Sequence, residues 1–214
     1  WIAAAPGRSL DDRCLALAAR GRPLVPADAA LLLQALADGD IDQGFRAAVG
    51  LLPPALADQL VGRVHALVLQ GKADVAPAAP LFDRMSGTGV RQLLGVAATL
   101  PLDVGESICD HIAQRDPAAV GERARAALDG EVPLEALWLR YAGPLLDRPA
   151  RVARLLAVLQ DEAAAEPLQQ RAYEALLAAH CVDARLWHWA LAHETDRQRN
   201  LARLLDAAVE TLPA

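Results

Sequence analysis

At 214 residues the chain is long enough for one large domain or two small ones, and a chain of this size buries roughly 70% of its extended surface on folding. Aromatic residues make up 4% of it, isoleucine occurs only at Ile2, Ile41, Ile108 and Ile112, and Ala and Leu dominate, so strands lack the residues they prefer and helix is the expected state throughout. The formal charge of −6 argues against general affinity for nucleic acid, which is driven by neutralising phosphates with a basic surface.

The chain opens on Trp1-Ile2-Ala3-Ala4-Ala5-Pro6, with neither a starting Met nor a charged signal-type region, so upstream residues are expected to be missing. Ser9 and Asp12, at capping-box spacing, start a helix at about 10–20, and Gly21 closes it. A second, at about 27–38, is closed by Gly39; Asp40 with Gln43 starts a third at about 41–51. Pro54 suits the first turn of a fourth, about 54–70, on which Leu56, Leu60, Val64, Leu67 and Val68 share one face before Gly71 ends it. Gly71 to Pro80 is the longest interruption, followed by a short turn near 81–85. It reads as a seam between an N-terminal lobe, 1–70, and a C-terminal lobe, 80–214, though the two can also form one continuous domain. Ser86-Gly87-Thr88-Gly89 has the composition of a phosphate loop, yet no strand precedes it and no Lys follows in the required place, so it reads as a turn and helix cap.

Helices follow at about 89–99, 104–114 (opened by Asp103 with Glu106), 117–128 (closed by Gly130), 133–146, 149–163, 167–180, 184–193 and 196–211. On the last, Leu201, Leu204, Leu205, Ala208, Val209 and Leu212 share a face. Connections of two to six residues make neighbouring helices pack antiparallel.

The dipeptide Pro-Leu recurs at Pro101-Leu102, Pro133-Leu134 and Pro167-Leu168, at nearly equal spacings. Each opens a helix pair whose second member begins near Pro117, Pro149 and Ala184. Laying Pro133 on Pro167 also lays Arg151 on Arg185, Val152 on Leu186, Arg154 on His188 and Leu155 on Trp189. Periods of about this length belong to helical solenoids, whose units bury their apolar faces by stacking. The stretch 101–200 resembles a degenerate tetratricopeptide or HEAT-type array, with Gly143 at the small-residue position of a tetratricopeptide register that puts Pro133 and Pro167 at its closing proline. The resemblance implies short antiparallel hairpins stacked as an α-solenoid or right-handed superhelix. An irregular helical bundle is the alternative.

Candidate chemistry is sparse. Cys14, Cys109 and Cys181 are odd in number, far apart and outside any Cys-x-x-Cys spacing, which indicates neither a disulfide framework nor a cysteine zinc site. His188 and His193 stand five apart, about 140° around a helix, and cannot easily share one metal ion. In Cys109-Asp110-His111, successive side chains on a helix turn by about 100°, which puts the His about 200° from the Cys and poorly placed to activate it. No catalytic residue, cofactor or metal is assigned.

The repeat register gives a sharper expectation. Arg151 and Arg154 on one second helix, with Arg148 a turn earlier, stack on Arg185 and His188 of the next to form a basic ladder. Trp189 aligns with core Leu155 and is expected to be buried, while Trp187 aligns with small Ala153 and is expected to face outward. Arg and Trp are enriched at binding hot spots. The expected function is a non-catalytic protein–protein interaction module, an adaptor, scaffold, chaperone or regulatory domain taking a protein or peptide, in particular an acidic one. Two alternatives stand: an enzyme or ligand-binding domain with a pocket near His180, His188 and His193, and a nucleic-acid binder with a groove lined by Arg148, Arg151, Arg154 and Arg185. No apolar run approaches the roughly 18 residues of a membrane span, so a soluble cytoplasmic protein is expected. The excess of Arg over the single Lys72 reads as the GC-rich coding found in many bacteria. Oligomeric state is left open.

Overall fold

Gly21, Gly39, Gly71 and Gly130 all adopt left-handed backbone, with φ of 61°, 73°, 64° and 86°, a conformation that residues with a Cβ avoid and that closes helix C-termini. These four stops and the prolines that start helices divide the chain into short segments. The computed structural model describes residues 9–181, 183–192 and 197–210. Among them are thirteen α-helices and no strand.

The helices are α1 (Leu10–Ala18), α2 (Pro26–Asp38), α3 (Gln43–Val49), α4 (Pro54–Leu69), α5 (Val75–Phe82), α6 (Gly87–Ala97), α7 (Leu102–Arg115), α8 (Pro117–Asp129), α9 (Ala136–Leu139), α10 (Pro149–Gln160), α11 (Glu166–Ala178), α12 (Ala184–Ala192) and α13 (Arg197–Glu210). A 3-10 turn, Gly143–Leu145, follows α9. No helix among the described residues is long and apolar enough to cross a membrane. Contacts divide the chain into two compact units, one ending at Ala119 and the other starting at Val120.

In the first unit α1 packs on α2 and α3, α2 on α3 and α4, α4 on α5 and α6, and α7 on α5 and α6. Two of these crossings use one device. The Asp11 carboxylate in α1 accepts from the backbone N–H groups of Gly44 (3.0 Å) and Phe45 (2.7 Å), which are otherwise orphaned at the start of α3. A Cβ on Gly44 would overlap the Asp11 carbonyl, so the close approach of α1 and α3 depends on glycine. In α4, Asp58 accepts from the Ser86 N–H (3.0 Å) and from the Ser86 hydroxyl. Ser86 in turn accepts from the N–H groups of Thr88 and Gly89 to cap α6, as the sequence predicts, and a Cβ on Gly89 would meet the Asp58 carboxylate.

Three elements differ from expectation. Asp40 does not cap its own helix; its carboxylate accepts from the Asp11 N–H at 3.1 Å, and α3 starts two residues later. The stretch 71–80, expected to be an interruption, holds most of α5, whose Val75, Ala78, Leu81 and Phe82 are buried. Pro77 lies in its first turn, where an N–H is dispensable, and Pro80 in its last. The helix expected at 133–146 shrinks to the single turn of α9 and the 3-10 turn. Pro144 sits in that turn, where its fixed φ and missing N–H favour a tight turn over a continuing helix.

In the second unit α10 packs on α11 and α12, and α11 also contacts α9, the 3-10 turn and α13; α12 contacts α13. The core gathers Leu128, Leu139, Leu155, Leu156, Leu176 and Leu186 around Tyr173 and Trp189. These two rings stack with centroids 4.8 Å apart. The Tyr173 hydroxyl donates to the Asn200 carbonyl at 2.6 Å, and burial pushes its pKa up to about 12. Substantial helix contacts throughout join elements one or two places apart in the chain.

Candidate functional site

Three helices start where the sequence places them, at Pro117, Pro149 and Ala184. Arg151 and Arg185 therefore occupy the first turns of α10 and α12, but they behave differently. Arg151 is only 3% exposed. Its Nε and Nη2 donate to the two carboxylate oxygens of Asp129, the last residue of α8, at 2.7 and 2.8 Å. Its Nη1 donates to the Leu145 carbonyl and to Asp147, each at 2.8 Å. A planar guanidinium with donors on both edges is the one side chain that can close such a junction. The hydrogen bonds from Arg151 hold the Asp129 carboxyl below the usual carboxylate range. Arg151 thus ties α8, α10 and the turn before α10 together and offers no charge to the surface.

Arg185 does not pair with the acid at the end of α10, Asp161, which follows Gln160 and whose carboxylate accepts from the Ala163 N–H at 3.0 Å. It folds instead onto Asp183, just before its own helix, with Nε and Nη2 donating to the two carboxylate oxygens at 2.8 and 2.9 Å. Asp183 also accepts from the Arg185 N–H at 2.9 Å. These bonds lower the Asp183 pKa to about 2, so the pair stays ionised through the neutral range. The junction that Arg151 fills in one pair is open in the next. A cleft of about 530 Å³ lies there, lined by Leu159, Gln160 and Glu162 from the end of α10, Gln169 from α11, and Arg185, His188, Trp189 and Ala192 from α12.

The remaining expected residues are placed as follows. Trp189 is buried, as its alignment with Leu155 implies, and its indole N–H points to the Gln169 side-chain oxygen at 3.5 Å. Trp187 is half-buried and packs against the core instead of standing free. Arg148 is exposed at the start of α10. Half-buried Arg154 covers Gly130, its Nη1 lying 2.6 Å from where a Cβ would be. The cleft therefore brings together Arg185 and His188 and leaves Arg148, Arg151 and Arg154 outside its lining. His180 takes a left-handed conformation, φ 52°, past the end of α11 and is exposed; His193 lies outside the described residues. Among the described residues no group of three or more His, Cys, Asp or Glu is placed to hold a metal ion. His111 contacts Asp83 at 3.0 Å, while Cys109 is buried.

Gln160, Glu162 and Gln169 were not singled out from the sequence. They come from the end of one helix and the start of the next, and no periodicity marks them. The amides of Gln160 and Gln169 can donate and accept, Arg185 and His188 supply cationic and donor groups, and Leu159 with Trp189 supplies apolar surface. Gln169 is held in place, its amide nitrogen donating to the Asp161 carbonyl at 2.8 Å.

Fold and cleft together define an all-α protein packed helix against neighbouring helix, with an open polar groove in its second unit. Comparison of the chain with protein-family models, with curated proteins and with solved structures returns no match.

Proposed function

We propose that the protein is a non-catalytic protein–protein interaction module, whose second unit receives an extended polypeptide segment bearing a carboxylate in the cleft of α10, α11 and α12. The observation that carries this reading is the open junction at Arg185, equivalent to the one that Arg151 and Asp129 close. Helices packed on neighbours one and two places away are what stacked hairpins in an α-solenoid would give, and such stacks present long surfaces to partners. Fold alone does not fix function, so the cleft's chemistry bears the weight. Side-chain amides suit a peptide backbone, and Arg185 with His188, which share the lining with Glu162, suits an acidic side chain or a terminal carboxylate that joins Asp183 on the guanidinium.

The test is an array of immobilised peptides of graded charge, probed with the full chain and with the double variant Arg185→Gln/His188→Ala. The parent should be retained by carboxylate-rich peptides, and the variant should lose roughly tenfold in affinity, the value of one charge-assisted contact. Retention indifferent to peptide charge, or an unchanged variant whose helical circular dichroism is intact, would overturn the reading.

A further inference from the structure

In the first unit, α7 and α8 are joined by a single residue, Asp116, set between Arg115 and Pro117. Arg115 ends α7 and donates from Nη1 to the Phe82 carbonyl and to the Asp83 carboxylate, each at 3.1 Å. Asp116 accepts from the Ala119 N–H at 3.0 Å and so caps α8, with Pro117 in the first helical position. His111, one turn before Arg115, contacts the same Asp83 oxygen at 3.0 Å. Two opposite charges are thus held side by side in the chain, and among the described residues Arg115 and Asp116 take these other partners and do not pair with each other.

Both residues line one cavity of about 260 Å³, smaller than the roughly 300–1,000 Å³ of a site for a drug-sized ligand. The rest of its lining is largely apolar. Phe82, Met85 and Ile112 are buried there and Val90 is half-buried, and the unbranched Met85 can adapt to whatever shape it meets. Arg115 Nη1 is taken by Phe82 and Asp83, which leaves the edge formed by Nε and Nη2 to receive a second carboxylate in the two-pronged way a guanidinium favours. Asp116 uses Oδ1 on its cap, and its other oxygen can accept from an ammonium. A ligand of one sign is attracted by one of these charges and repelled by the other; a zwitterion satisfies both.

We propose that this cavity binds a free α-amino acid with an apolar side chain of about leucine's size. Its carboxylate lies on Arg115, its ammonium on Asp116, and its side chain against Phe82, Met85, Val90 and Ile112. A fatty carboxylate fits the apolar wall but brings a second anion to Asp116, and an amine brings a second cation to Arg115. The site shares no lining residue with the cleft at Arg185, so either can fail without the other.

The experiment is calorimetric titration of the full chain with leucine and with methionine, against leucinamide, which lacks the carboxylate, N-acetyl-leucine, which lacks the ammonium, and glycine, which lacks the side chain. Leucine or methionine should bind saturably, and each of the other three roughly tenfold more weakly or less. Arg115→Gln should weaken leucine by about tenfold and leave leucinamide unchanged, because the contact it removes is the one leucinamide cannot make. Asp116→Asn should do the same for leucine and leave N-acetyl-leucine unchanged, and asparagine keeps the cap of α8. The analogues are read on the unaltered chain, so they decide the matter even where a variant does not fold. No saturable binding of either amino acid, a blocked analogue or glycine that binds as tightly as leucine, or unchanged leucine affinity in either folded variant would overturn the proposal.

Discussion

Arg151 and Arg185, aligned when one stretch of sequence is laid on the next, have two fates: Arg151 is locked onto Asp129 at the end of α8, while Arg185 is drawn onto Asp183 beside its own helix. Arg151 is nearly inaccessible and makes four hydrogen bonds, so its loss removes several charge-assisted contacts together. Arg151→Met should lower stability by about 2 kcal/mol, less than the 3–5 kcal/mol of breaking a fully buried pair, because Asp129 can turn to solvent. Arg151→Lys should recover little of it, since an ammonium cannot span both oxygens. The urea midpoint measures both, and a Met variant as stable as the parent would deny Arg151 its structural part. Laying one helix pair on the next correctly assigned Trp189 to the core, because a helix position fixes direction. It could not reveal that Arg151 is buried, since that depends on an acid 22 residues upstream. Nor did it settle Trp187, whose side chain is large enough to lie along the core from a position where Ala153 is exposed.

Among the elements, helix starts and stops were the most legible features, because caps are local. All four glycine stops hold, and Pro54, Pro117, Pro149 and Pro167 each fall in the first turn of a helix. What local chemistry missed is capping by another helix. Asp11 serves α3 and Asp58 serves α6, across separations of 28 to 34 residues. The short α5 was missed for a related reason: two prolines read as breakers, while the burial that favours the helix comes from its neighbours. The glycines at these crossings are required for their lack of volume. Gly44→Ala should cost about 3 kcal/mol or prevent α1 and α3 from docking, since the obstacle is backbone and cannot rotate away. Gly62→Ala in α4, where a Cβ meets nothing within 4 Å, should be neutral or slightly stabilising through helix propensity. Thermal melts of the two variants test the contrast; equal shifts would remove the argument.

For the whole molecule, the two compact units carry natural reporters. Cys14 and Cys109 are buried in the first, and burial, with the charges of Asp11 and Asp40, raises the Cys14 pKa to about 11. Neither thiol should react with a water-soluble reagent at pH 8 until that unit opens. Three of the four tryptophans, Trp138, Trp187 and Trp189, lie in the second unit, so fluorescence follows its unfolding. Arg151→Met should move the fluorescence transition to lower urea and leave the onset of Cys14 and Cys109 labelling where it is in the parent. A matching shift in labelling would show that the chain unfolds as one cooperative block.

The packing of each helix on partners one or two places along the chain also bears on how the protein reaches its native state. Most contacts close short loops, so little chain entropy is lost before each is rewarded, and proteins of this kind sit at the fast end of the folding spectrum. Each hairpin can assemble on the one before it as the polypeptide leaves the ribosome, without waiting for a distant segment to be synthesised.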